Sequence, residues 1–350
     1  MQFSIWDVAE RAGVSKSTVS RVLNGGSVSE STHQKVMEAI QEMGYRPNYN
    51  ARNLRGNKST VIGVLSMGGA MFREHSLCIR FSGVSDILQQ HGYDLMLVHD
   101  DYESLNGIYT PKCMTYLSEK RIDGLITLGT TDQIEEQIKS AASVFRNVVY
   151  TGERVLKDKG FRVYLGNYHY SYDLFSILLE QGHRRILVIY GDQNNTLQKF
   201  RKQAFQDACK ALHTPEQDIC RFYNPYVEDR WIVGPAQAME NLYKTYRQGG
   251  YTALFVDETT DTRQILSTFG RYGMSPMRDY SIVSIEGEIE GSQQGMEIIT
   301  SVHLPDYEYG RRIAELMTEV IENESLVCKD VHMAYTLVRG KSVQKLAPNK

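Results

Sequence analysis

An α/β protein in two parts is what this sequence predicts: a small three-helix unit at the N-terminus, followed by a two-lobed body of parallel strands covered by helices. Three observations carry that reading. The first sixty residues hold three short stretches with apolar residues at helical spacing, broken at Gly13-Val14-Ser15 and at Asn24-Gly25. From about residue 60, short apolar strands alternate with amphipathic stretches, in two sets divided near residues 160–165. The third is charge: residues 1–58 carry eight Lys/Arg against five Asp/Glu, a balance of +3, in a chain of net charge −3, so the remainder sums to −6. The small basic part, and not the acidic body, is the part suited to a polyanion. At 350 residues the chain exceeds one average core, which agrees with several domains.

In the N-terminal unit, Ile5, Val8, Ala9 and Ala12 share one helical face, Ser4 stands as N-cap, and Gly13 ends the helix as a left-handed residue does. Ser15 caps a second helix whose inner face is Thr18/Val19, Val22 and Leu23. A third starts at Ser29, buries Val36, Ile40 and Met43, and stops at Gly44, with Pro47 beyond. Three short helices with a tight turn between the first two make a helix-turn-helix unit. The second helix of such a unit enters the major groove with its N-terminal residues at base edges. Those are Lys16 and Ser17, then Ser20 and Arg21 one turn later, with Ser15 and Asn24 bracketing the helix. Thr18, Ser4 and Ser29 suit phosphate oxygens, which fix register without reading sequence. For Ser15 and Ser29 a purely structural N-cap role stands beside the DNA-contacting one.

In the body the strand candidates are 61–67, 93–99, 123–129, 147–152, 185–191, 253–257 and 281–286, with amphipathic stretches such as 78–92 and 309–323 between them. Alternating strands and helices imply parallel sheets with both faces covered. Ligands of open α/β sheets bind outside the carboxyl ends of the strands, and a cleft between lobes suits a small molecule.

Other classes find little support. No run nears the roughly 18 apolar residues that span a bilayer, and no basic-then-apolar leader opens the chain, so a cytoplasmic protein without membrane contact is expected. The five cysteines are scattered, without C-x-x-C or Cys/His metal spacing, and read as small buried hydrophobes. No G-x-S-x-G, P-loop, strand-linked G-x-G-x-x-G or H-E-x-x-H occurs. The expectation is therefore no enzyme, no cofactor and no metal.

The pattern D-V-A-x-x-A-G-V-S-x-x-T-V-S-R-V-L-N, from Asp7 to Asn24, resembles the headpiece of the lactose/galactose repressor family of bacterial transcription factors. The likeness continues to Asn48, with His33 where the family usually has Arg. "YNARNLRGNKS" (49–59) resembles the family's hinge helix, which orders on operator DNA. The resemblance implies that Ala51, Arg52 and Leu54 meet the minor groove, where paired leucines wedge into a deformable step. In the body, "HGYDLML" (91–97), "KRIDGLI" (120–126), "LLEQGHRRILVI" (178–189) and "YEYGRRIAELM" (307–317) are similar to family segments.

The fold so implied is an N-terminal three-helix headpiece with a hinge helix, then a two-lobed, Rossmann-like body similar to periplasmic sugar-binding proteins. Its divisions would be a headpiece over 1–47, a hinge over 48–59, a ligand-binding and dimerisation domain over 60–340, and a tail over 341–350. The N-lobe would take about 60–162 and 292–325, and the C-lobe about 163–291 and 326–340, including a final strand "HMAYTLV". The function implied is an operator-binding repressor, working as a homodimer on double-stranded, near-palindromic DNA under control of a small molecule, a sugar or sugar derivative. A protein co-effector, or none, is the alternative within this reading; a small-molecule binding protein or an enzyme of unrecognised type is the alternative of another class.

Ligand residues carry over singly. Arg201, four residues before Phe205, matches a ligand-binding family arginine, and Phe72 sits where the family often places an aromatic. Glu258 stands where Asn-Asp is usual, and Glu286 replaces the family's Asp with one methylene more. Both keep the chemistry of accepting hydrogen bonds from hydroxyls while changing its reach. Tyr223 is a further cleft-side candidate. Tyr168, Tyr170 and Tyr172 fit either a stacking surface for a sugar or the packing of a lobe boundary.

Overall fold

The computed structural model describes residues 3–23, 25–45, 59–66, 75–99, 102–105, 108–128, 138, 146–152, 160–190, 195–214, 220–228, 231–257, 260–286 and 299–346. The chain divides into two compact units, residues 1–59 and 60–350.

In the first unit, α1 (Ile5–Ala12), α2 (Lys16–Leu23) and α3 (Glu30–Met43) close around Val8, Val19 and Val36, each fully buried. Their boundaries are local chemistry. Ser4 and Asp7 form a reciprocal capping box at the start of α1, the Ser4 N–H donating to Asp7 Oδ2 at 2.6 Å. These bonds hold the Asp7 carboxyl below its ordinary value. Gly13 (φ 66°) and Gly44 (φ 57°) end α1 and α3 in the left-handed region that a side chain disfavours. The Ser15 hydroxyl accepts from the Thr18 N–H at 3.1 Å, and Ser29 caps α3 through the Thr32 N–H at 3.3 Å.

The second unit holds two six-stranded sheets. The first comprises β1 (Val61–Ser66), β2 (Asp94–His99), β5 (Gly124–Thr127), β6 (Val148–Thr151), β7 (Phe161–Tyr164) and β15 (Lys329–His332). Its order is β15-β7-β6-β5-β1-β2, parallel throughout. The second comprises β8 (Ile186–Ile189), β9 (Cys220–Tyr223), β12 (Ala253–Val256), β13 (Ser281–Glu286), β14 (Thr300–His303) and β16 (Thr336–Val338). Its order is β16-β14-β13-β12-β8-β9, with only β16 antiparallel. Two small hairpins, β3 (Tyr102–Leu105) with β4 (Ile108–Pro111) and β10 (Val227–Glu228) with β11 (Trp231–Ile232), stand apart from these sheets. Central strands such as β8 and β12 are buried at every residue, as burial on both faces requires.

Helices α4 (His75–Gln90), α5 (Lys112–Ser118) and α10 (Asp306–Glu322) serve the first sheet. Helices α6 (Asn167–Glu180), α7 (Asn195–Ala211), α8 (Pro235–Gly249) and α9 (Thr262–Arg271) serve the second. Where α4 crosses α10, the backbones approach so closely that a Cβ on Gly310 would lie 1.9 Å from the Arg80 carbonyl oxygen. Arg80 Nε donates to the buried Asp306 at 2.7 Å beside this crossing.

Among the described residues the chain passes between the sheets near residues 165, 305 and 334, which revises the expected lobes. Residues 300–303 extend the second sheet and not the first, while α10 returns to the first. The stretch 332–338 is not one strand: His332 ends β15 in the first sheet, and Thr336 begins β16 in the second. Strands β14, β15 and β16 are short, and their places are set by partners distant in sequence. Residues 341–346 are pinned along the second sheet. Buried Ser342 accepts from the Thr300 N–H at 2.8 Å and donates to the Ile282 carbonyl at 2.5 Å, and the Leu346 N–H donates to the Gln181 carbonyl at 2.8 Å. Cys78 and Cys328 are exposed, so the buried-hydrophobe reading fails for those two cysteines.

Candidate nucleic-acid interface and ligand site

In the first unit the side chains assigned to DNA gather at the start of α2. Ser15, Ser17 and Arg21 are exposed, and Lys16 and Thr18 half-exposed. Ser15 Oγ lies 2.7 Å from Ser17 Oγ and 2.8 Å from Thr18 Oγ1, a run of hydroxyls around the helix N-terminus. No acid stands in the first turn of α2, so the partial positive charge of the helix end is left for an external anion. Trp6 was not among the expected residues. Its ring is 63% exposed on α1, and Lys16 Nζ sits 4.7 Å from its centre, a cation–π contact that positions the ammonium. The acids Glu10, Glu38 and Glu42 line a groove with Arg11 and Lys35 that no α2 residue shares, so the exposed face of α2 keeps its basic character.

Ser20 departs from expectation. It is 7% exposed, buried as Val19 and Val22 are, whereas Ser17 and Arg21 are exposed and Lys16 half-exposed. Ser4 and Ser29 are exposed and serve as caps. Asn24, Ala51, Arg52 and Leu54 lie outside the described residues, as do Phe72 and Glu258.

The ligand candidates of the body that are described lie toward the carboxyl edge of the second sheet. β9, β8, β12 and β13 lie side by side, with Tyr223 level with Ile189, Ile189 with Val256 and Val256 with Ser284. Tyr223 ends β9, Asp257 follows β12, and Glu286 ends β13. Neighbouring strands are about 4.8 Å apart, so Tyr223 and Glu286 bracket a row roughly 14 Å wide. Arg201 reaches this row from α7. Far from being a surface arginine, it is fully buried, with Nη1 3.1 Å from Asp257 Oδ2. Asp257, also fully buried, accepts from Thr260 Oγ1 at 3.3 Å. Glu286 accepts from Thr262 Oγ1 at 2.8 Å, and burial pushes its carboxyl above the ordinary value against the opposing pull of its hydroxyl partners. Asp257 had a visible signal, an acid directly after an apolar strand, but its partner Arg201 is distant in sequence.

The tyrosines of 168–172 belong to packing. Tyr170 is fully buried and bonded to Asn167, with its ring edge-on to Tyr335, and Tyr168 donates to Asp207 at 3.0 Å. Among the described residues no helix is long and apolar enough to cross a membrane.

Comparison with known proteins finds matches for both units of the chain. Residues 4–48 match the model of bacterial regulatory proteins of the lacI family. Residues 80–220 match that of periplasmic binding proteins and the sugar-binding domain of the LacI family, and 175–343 a periplasmic binding protein-like domain. Catabolite control protein A of Priestia megaterium is 25% identical over 344 residues, covering 96% of this chain and 98% of that protein. The transcriptional repressor PurR of Proteus mirabilis is 28% identical over 352 residues, covering 97% and 96%. Among solved structures, the lac repressor dimer bound to operator and an anti-inducer superposes with a TM-score of 0.76 at 20% identity, covering 98% of this chain and all of that one. A complex of the transcriptional regulator CelR with cellobiose gives 0.62 at 24% identity, covering 97% and 100%. With a headpiece matched over residues 4–48 and a body matched over 80–343, the chain belongs to the lacI family of bacterial regulatory proteins.

Proposed function

We propose that this chain is a cytoplasmic, operator-binding transcriptional repressor that acts as a homodimer and is controlled by a small carbohydrate held at the second sheet's carboxyl edge. The observation that carries the reading is the hydroxyl-lined, acid-free start of α2, with Lys16 set by Trp6 and Arg21 one turn on. Lys16, Ser17 and Arg21 read base edges; Ser4, Ser15, Thr18 and Ser29 hold phosphates. Asn24 is assigned to DNA with them by the family resemblance, and Ser20, being buried, has at most a backbone contact. Residues 1–47 form the headpiece and 48–59 the hinge, with Ala51, Arg52 and Leu54 toward the minor groove. The ligand residues are those assigned from the family resemblance: Phe72, Arg201, Tyr223, Glu258 and Glu286.

One headpiece spans few base pairs, so a pair of chains reads a two-fold site. The lac repressor dimer on its operator, similar over the whole chain, supports that arrangement. The CelR–cellobiose complex supports a sugar ligand. Control requires that the ligand bind one arrangement of the lobes more tightly than the other. Selection from a random duplex library tests the reading: full-length protein should enrich a two-fold-symmetric site, and the Lys16→Ala, Arg21→Ala double variant should not. Enrichment of an asymmetric site, or of none, refutes it.

A further inference from the structure

The ligand row of this body contains an anion of its own. A guanidinium presents a planar fork that suits a carboxylate or phosphate, and at Arg201 that anion is Asp257, both side chains being fully buried. Asp257 is held in turn by Thr260 Oγ1 and by its backbone N–H, which donates to the Ile189 carbonyl at 3.1 Å. The strand beside it ends in a second carboxylate, Glu286. Arg263, the cation nearest in sequence, is engaged with Asp261 at 3.0 Å. An incoming carboxylate or phosphate therefore meets carboxylates, in surroundings of low dielectric where like charges repel strongly.

A neutral ligand meets something different. Gln198 lies one turn before Arg201 on the same face of α7, the helix that leaves the carboxyl end of β8. It is 7% exposed, and neither its amide nitrogen nor its amide oxygen has a hydrogen-bond partner among the described residues. Buried amides are normally satisfied, so a donor and an acceptor stand ready for a group outside the chain. A hydroxyl, which both donates and accepts, answers such a pair.

We propose that Asp257 is a specificity-determining residue: by occupying Arg201 it restricts the site to neutral polyhydroxylated ligands, bound through Gln198, and turns away carboxylated or phosphorylated ones. This rests on the ligand-controlled reading above. The test is thermal denaturation of the full chain with neutral mono- and disaccharides, ribose and cellobiose among them, and with the matching sugar acids and sugar phosphates. A neutral probe is expected to raise the Tm by several degrees, with no response to its anionic counterpart. Gln198→Ala should weaken that probe at least about tenfold while the unliganded Tm stays level or rises. Asp257→Asn, which keeps the shape and frees the guanidinium, should shift preference toward the anionic probe by at least about tenfold. Stabilisation of the wild type by an anionic probe overturns the proposal and leaves ligand control standing, as does unchanged binding of the neutral probe by Gln198→Ala. Silence of every probe in the wild type overturns both.

Discussion

His183 should make the body acid-sensitive in a defined window. The ring is fully buried between β12 and the pinned C-terminal segment, with Nδ1 2.9 Å from Thr252 Oγ1 and Nε2 3.1 Å from the Gln344 carbonyl. The carbonyl accepts from Nε2–H, so Nδ1 of the neutral ring accepts from the Thr252 hydroxyl. Burial, aided by the charge of Arg184 and opposed by the bond to Gln344, depresses the pKa to about 4 from an ordinary 6.5. The folded value is below the unfolded one, so stability from this group is complete above pH 6.5. It is lost as pH falls toward 4, because the unfolded chain takes up the proton first. At about 1.4 kcal/mol per pKa unit, the loss reaches about 2 kcal/mol by pH 5 and about 3 kcal/mol at pH 4. Other groups titrate in the same range, so the informative quantity is a difference. Urea denaturation of the wild type and His183→Asn between pH 7.5 and 5 should give a shallower decline in the variant, by about 2 kcal/mol at pH 5. Parallel declines would refute the assignment of a neutral, buried His183.

Other positions give equally specific outcomes. Gly310→Ala places a methyl against the Arg80 carbonyl in a backbone–backbone crossing that has no room to yield, and should cost at least about 1–3 kcal/mol by thermal denaturation. Ser342→Ala strips the Thr300 N–H of its acceptor and the Ile282 carbonyl of a donor, and should cost about 1–3 kcal/mol, read as a lower urea midpoint with unchanged m-value. Lys16→Ala should reduce affinity for the selected duplex by about 1–3 kcal/mol and leave binding to random duplex almost unchanged, measured by competition.

The parts of the fold that were legible in the sequence are those whose causes are local. Ser4 with Asp7, Gly13, Ser29 and Gly44 fix helix ends through neighbours close in sequence, so the headpiece helices read directly from capping chemistry. Ile186–Ile189 and Ala253–Val256 announce central strands because every residue is apolar and buried. The burial of Ser20 was not legible: it lies one turn past the half-exposed Lys16, and it is buried by the packing around it and not by its place in the helical repeat. β14 and β15 were assigned to the wrong lobe, because the sheet of each depends on ladders to strands distant in sequence. The site divides in the same way. Arg201 was singled out by the family resemblance, whereas its burial and its pairing with Asp257, the residue after β12, arise only when segments distant in sequence meet.

That the start of α2 binds DNA as part of a two-fold assembly is tested most directly by equilibrium binding to the selected duplex across salt concentrations. Two chains per duplex are expected, with affinity falling at least about 10³-fold between 50 and 200 mM salt, as for a protein making roughly six or more phosphate contacts. The Lys16→Ala, Arg21→Ala double variant should show a shallower dependence. One chain per duplex, a weak salt response, or a variant indistinguishable from the wild type would contradict the account.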